Sequence, residues 1–293
     1  QIIGSAGSTL LVSNGNKTVT QSAGGSLGTG TNVTVRLQNG FDFGNNLSTI
    51  NGTLLINAGG FVSGNAANYA SGSVIKYATG NSYGRGLEWS ATSGAGYPYH
   101  VEIEQNGTNT TLDLSNGGSA LRKTAGNLTI HNGAGLTMNA MTNALEVAGN
   151  VLIGDGASGS LTLSSSIGGD LLVGGNLTRN SGATFTQNSR SVTMNGALNQ
   201  TITGVSTFDY LCINNSGTAP NNVVSIATNT GINNRLTLSN GTFDIGAYTL
   251  TMANASQIRR QSATASMTAA STLGGADMYD LSYDESMTNG LEF

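Results

Sequence analysis

Residues able to do chemistry gather in one part of this chain. Residues 71–105 hold the single tryptophan, four of the nine tyrosines and one of the two histidines. Within them, Val101-Glu102-Ile103-Glu104 alternates apolar and acidic residues, which places both carboxylates on one face of a strand. Two carboxyls about 5 to 9.5 Å apart are what glycoside hydrolysis needs. An exposed pair on a strand, however, gives neither carboxyl a reason to hold its proton, as a general acid must. The pair is therefore expected to be a solvated strand face, and no catalytic residue is assigned.

Tyr83, Trp89, Tyr97 and Tyr99, with His100 beside them, could instead form an aromatic platform for a sugar ring. The competing reading turns Leu87 and Trp89 inward as a core pair and uses the tyrosines to staple a long loop. The candidate glycan contacts are accordingly Tyr83, Trp89, Tyr97, Tyr99, Glu102 and Glu104. His100 and His131 lack a third histidine or a cysteine companion, so no transition-metal site is expected. Asp155-Gly156 and Gly274-Gly275-Ala276-Asp277 touch on calcium-turn chemistry, but the Gly-Gly-x-Gly-x-Asp repeat that would make a calcium solenoid does not recur. No cofactor is expected. Cys212, the only cysteine, lies between Leu211 and Ile213 and reads as an outward, free thiol.

The elements that must carry these residues are short strands. Leu236 to Met252 reads LTLSNGTFDIGAYTLTM, with Leu236, Phe243 and Leu250 at seven-residue intervals and Leu238, Ile245 and Met252 two places further on. Asn240-Gly241 and Gly246 separate the pieces, so the rhythm belongs to strands and corners, not to a coiled coil. Three such sides make a coil of about 21 residues, within the solenoid range. Inward pairs run through the chain, among them Leu112/Leu114, Leu128/Ile130, Leu145/Val147, Leu171/Val173 and Val192/Met194. Their spacing is irregular, so corners differ in length while sides keep their alternation. Stacked asparagines at the corners are expected to form side-chain amide ladders.

The predicted fold is all-β: a parallel β-helix or β-solenoid, right-handed and three-sided, of roughly 10–14 coils. One continuous solenoid is expected over residues 1–293, with less regular coils over 1–70 and loop-rich coils with the aromatic cluster over 70–105. Regular coils follow over 106–256, and the start of a further, truncated repeat over 257–293. Ser256–Leu273 is alanine-rich but reads as strand, as does Asp277–Glu285.

Composition narrows function. With 43 glycines, 9% charged residues and 38% hydrophobics regularly spaced, the chain is ordered and not a disordered polar tract. A net charge of −4 with only 11 Lys plus Arg removes the electrostatic basis for nucleic-acid binding. No apolar run approaches the ~20 residues of a membrane-spanning helix, so membrane insertion is not expected.

MNGALNQTITGVSTFDYLCINNSG (194–217), followed by LTLSNGTFDIGAYTLTM, resembles a repeat unit of very large secreted or cell-surface proteins of Bacteroidetes-type bacteria. These include gliding-motility adhesin-like proteins exported by the type IX secretion route. GRGLEWSATSGAGYPYHVEI (84–103) and GGDLLVGGNLTRNSGATFTQNSRSVTMNG (168–196) are similar to other parts of that unit, and YDLSYDESMTNGLEF (279–293) to the opening of another. The resemblance implies a parallel β-solenoid, an extracellular or bacterial cell-surface location and a passive role.

The expected function is a non-enzymatic structural or adhesive segment: a stalk, adhesin or filament building block. Its partners would be neighbouring segments of a longer chain, or identical copies end to end, and surface glycans. One alternative is a carbohydrate-binding or polysaccharide-active β-helix protein. A second is an ice-binding solenoid, which requires a regular Thr-x-Thr ladder where the outward positions here mix Thr, Asn, Ser and Glu.

Overall fold

The computed structural model describes residues 8–12, 19–20 (backbone only), 27–45, 48–156 and 158–269. Asp277–Glu285, the similarity at 279–293 and the Gly274–Asp277 turn lie outside the described residues.

The chain winds as a parallel β-solenoid. Its longest face is a sheet 12 strands deep, from Thr9–Val12 to Ser266–Thr268, in which each strand pairs in parallel with strands of the preceding and following coils. After each such strand the chain turns onto a second face, where Ser82–Gly84, Thr110–Asp113, Ala134–Thr137, Ser160–Thr162 and Thr184–Thr186 form a five-stranded sheet. A third face begins at Arg122–Thr124 and runs through Leu145–Val147, Leu171–Val173 and Ser191–Met194 to Gln257–Arg260. Thr230–Asn240 bends round the corner between faces: residues 230–232 pair with Leu250–Met252 and residues 235–238 with Gln257–Arg260. Ser256–Leu273 is thus stranded, not helical, as far as it is described.

Register partners lie between 19 residues apart (Val35 opposite Leu54) and 29 apart (Ser82 opposite Thr111), so coil length varies while the strands stay aligned. The alternation of the sequence explains how. Every inward pair named above is less than 2% exposed, and each stacks on its counterpart, Leu145 on Leu171 on Val192. A strand residue alternates faces, so one apolar residue in two lines the core. Each fully buried Leu, Ile or Val contributes roughly 1.5–3 kcal/mol.

The corners carry the remaining specificity. His100 Nδ1 accepts the Asn127 N–H at 2.9 Å, Asn127 Oδ1 the Asn150 N–H at 2.9 Å, Asn150 Oδ1 the Asn176 N–H at 2.7 Å, and Asn176 Oδ1 the Thr201 N–H at 2.8 Å. This corrects the expected ladder of amide on amide. The side-chain oxygen reaches a backbone N–H of the next coil, where the corner would otherwise leave a donor without a partner. At Gly204, φ is +73° and a Cβ would lie 1.9 Å from the Arg179 carbonyl, so only glycine fits.

Candidate functional site

The loop-rich segment interrupts the third face. Leu87–Trp89 forms a single 3-10 turn after Gly86, which breaks the period of two. Residues 88 and 89 therefore both turn inward while Leu87 remains 38% exposed. Of the two sequence readings of Trp89, the inward one holds for Trp89 itself and fails for Leu87, and the glycan platform loses its tryptophan. It is fully buried, its indole Nε1 donating to the Lys123 carbonyl at 2.7 Å, so it offers no face to a ligand; nor does it pair inward with Leu87.

Tyr83 is half-buried and its hydroxyl donates to Glu88 Oε1 at 3.3 Å. Tyr97 and Tyr99 are half-exposed, and Tyr99 meets His100 edge-on with ring centroids 4.6 Å apart. These rings do not come together as one platform.

Glu102 and Glu104 stand where the alternation placed them, outward and opposite buried Val101 and Ile103. Lys76, the register partner of Glu102 in the preceding coil, bridges both carboxylates, its Nζ 3.0 Å from Glu102 and 3.2 Å from Glu104. Burial alone would lower the Lys76 ammonium, but the two carboxylates outweigh it and hold it above its ordinary range. On the far side, His131 lies between Glu102 (Nε2 to Oε2, 3.5 Å) and Asp155 (Nδ1 to Oδ2, 2.5 Å). The His131 hydrogen bond, with the Asn132 N–H, holds the Asp155 carboxyl below the usual range. The result is a surface ladder along four coils, in which Lys76 and His131 alternate with carboxylates. Among the described residues, no group of three or more His, Cys, Asp and Glu could hold a metal ion.

Glu88 escaped sequence reasoning. It is wholly buried, and its Oε1 accepts three hydrogen bonds: from the Gly86 N–H at 2.7 Å and from the Tyr77 and Tyr83 hydroxyls, each at 3.3 Å. Oε2 has no partner, and burial pushes the carboxyl above its ordinary range despite those donors. Arg85, 4% exposed, donates to the carbonyls of Leu114 (3.3 Å), Gly86 (2.9 Å), Trp89 (3.2 Å) and Asn116. Together Arg85, Glu88 and Trp89 fasten the loop to the coils on either side. The available signal was the local string Gly-Arg-Gly-Leu-Glu-Trp, where charges stand between glycines and alternation stops.

The second face differs from the other two. Its register lines up Thr111, Gly135, Ser160 and Thr184 in one outward column, and Asp113, Thr137, Thr162 and Thr186 in a second. Outward columns elsewhere are mixed: Lys76, Glu102, Thr129 and Leu152 on the first face, Lys123, Glu146, Leu172 and Thr193 on the third. A cleft of about 240 Å³ lies over Thr111, Gly135 and Ser160. Thr184 borders both this cleft and a second of about 520 Å³, which deepens where the sheet ends between Thr184–Thr186 and Thr207. The two form one shallow trough along the solenoid axis.

Compared with known protein families, with curated proteins and with solved structures, the chain matches none.

Proposed function

We propose that this chain is a non-enzymatic segment of a secreted bacterial cell-surface protein, serving as stalk, adhesin or filament building block. The observation that carries the reading is the unbroken first face, 12 parallel strands in register. In such a stack each coil packs on its neighbours alone, so the array extends by repetition and acts as a spacer. The low charge, the Thr and Asn surface and the resemblance to surface-protein repeats support an exported, adhesive setting. Neighbouring solenoid segments or identical copies are its proposed axial partners.

The chemistry of the loop-rich segment agrees with a passive role. Its one buried carboxylate is engaged by a backbone N–H and two tyrosine hydroxyls, and its surface carboxylates by lysine and histidine. The test is retention of protein-coated beads under flow on glass, on chitin and on mucin. Retention above albumin-coated beads on at least one surface is expected; retention equal to albumin on all three would refute the adhesive part.

A further inference from the structure

We propose that the trough on the second face is a binding site for a neutral, linear polysaccharide lying parallel to the solenoid axis. The inference rests on the adhesive reading above and names the class of its target.

Three features of the trough lead to that class. The first is its hydroxyls. Those of Thr111, Ser160, Thr162, Thr184 and Thr186 have no hydrogen-bond partner among the described residues, and neither do those of Ser206 and Thr207 at the deeper end. On the first face, outward hydroxyls either bond to one another, Thr201 to Ser225 at 3.4 Å and Thr242 to Ser266 at 3.0 Å, or, as at Thr129, stand in a column with Lys76, Glu102 and Leu152. A column of free hydroxyls, each both donor and acceptor, matches a ligand that presents hydroxyls at regular intervals.

The second feature is neutrality. The charged groups bordering the deeper cleft are already satisfied within the protein. Arg179 donates to the carbonyls of Gly204 at 2.7 Å and Ala183 at 2.8 Å. Asp209 accepts the Ser189 N–H and the Asn233 side-chain amide, each at 2.9 Å. With one cation and one carboxylate at its border the cleft carries no net charge to attract a polyanion, so an uncharged chain fits better than an acidic one.

The third is shape. The trough crosses five successive coils, from that of Thr111 to that of Ser206, a length of about 20 Å at the spacing of stacked strands. That accommodates on the order of four sugar rings end to end. At the larger cleft half-buried Phe185, the register partner of inward Leu161, packs against the core and borders the cleft only in part. Concavity also separates this site from an ice-ordering surface, which must be flat. Gly135 interrupts the hydroxyl column and lowers the floor between Thr111 and Ser160.

The experiment is calorimetric titration of the whole chain with neutral β-1,4-linked hexasaccharides of glucose, xylose and mannose, with hexagalacturonate as the charged comparison. The wild-type protein should bind at least one neutral hexasaccharide and bind hexagalacturonate at least tenfold more weakly. Thr184→Arg, which projects into the trough from an exposed position, should weaken binding at least tenfold. Thr193→Arg on the third face should leave it unchanged, and equal melting temperatures would show that both variants fold. Failure of all three neutral hexasaccharides to bind would overturn the inference, as would equal loss in the two variants or tighter binding of hexagalacturonate. Beads that adhere to a surface while the free protein ignores every neutral hexasaccharide would keep the adhesive reading and overturn only this site. Inhibition of ice recrystallisation lost in Thr184→Arg, without glycan binding, would reassign the trough.

Discussion

Replacing Glu88 separates the hydrogen bonds of the buried carboxyl from its titration. Glu88→Leu leaves three donors without their acceptor: the Gly86 N–H and the hydroxyls of Tyr77 and Tyr83. A buried donor left unsatisfied costs roughly 1–3 kcal/mol. Tyr83 is half-buried and water can replace part of its loss, so the sum is about 3–6 kcal/mol of local stability. Glu88→Gln keeps the acceptor oxygen but places an amide NH2 where Oε2 has no partner, so it should cost about 1–3 kcal/mol, less than Glu88→Leu.

The two side chains then diverge with pH. Burial raises the folded-state carboxyl above its ordinary value, so the folded chain holds a proton that the unfolded chain releases. Wild-type stability must therefore fall, relative to Glu88→Gln, as pH rises above the unfolded value and through the folded one. Asp42 and Asp155 act oppositely, their carboxyls being lowered, but they are common to both proteins and cancel in the difference. The assay is urea unfolding followed by the fluorescence of Trp89, the only tryptophan and a direct neighbour of Glu88. Between pH 4 and pH 8 the stability of wild type should fall relative to that of Glu88→Gln, whatever the offset between them at pH 4. Parallel curves across that range, or a Glu88→Leu protein as stable as wild type, would refute the account of the loop.

The remaining predictions concern the stack itself. Leu171→Ala empties a core position between Leu145 and Val192 and should cost about 2–5 kcal/mol, whereas Leu172→Ala, one residue on and outward, should cost less than about 1 kcal/mol. Equal shifts in urea midpoint would contradict the register. Gly204 and Gly72 both have positive φ, +73° and +81°, but a Cβ meets the Arg179 carbonyl at the first and nothing within 4 Å at the second. Gly72→Ala should therefore cost about 1 kcal/mol from backbone strain alone and Gly204→Ala distinctly more, as compared by thermal melting.

Legibility in the sequence followed the period of two. Leu128/Ile130 or Val192/Met194 announce themselves because a half-buried strand must alternate, and the three pieces of Leu236–Met252 mark three faces because glycine or asparagine separates them. What lines up along the axis was not legible. Thr111, Gly135, Ser160 and Thr184 are neighbours in space only after coils of 24 or 25 residues have been closed, not the roughly 21 expected from the rhythm of Leu236–Met252. The hydroxyl face was therefore averaged into a mixed surface. Glu88 was hidden for a different reason. A 3-10 turn places successive residues inside, so a rule built on alternation assigned Leu87 to the core and missed the carboxylate beside it. Glu102 and Glu104, on a regular strand, were placed correctly; the Lys76 that binds them lies a coil away and could not be seen.

The mechanical claim is tested most directly by pulling single molecules from their two ends. If each coil is held only by its neighbours, coils of 19 to 29 residues, the separations of Val35 from Leu54 and of Ser82 from Thr111, should peel away in succession. Each would release about 60–100 Å of extended chain. A saw-tooth of such steps is the predicted result. Extension without force peaks, or one event releasing the whole chain at once, would contradict a load-bearing stack of separable coils.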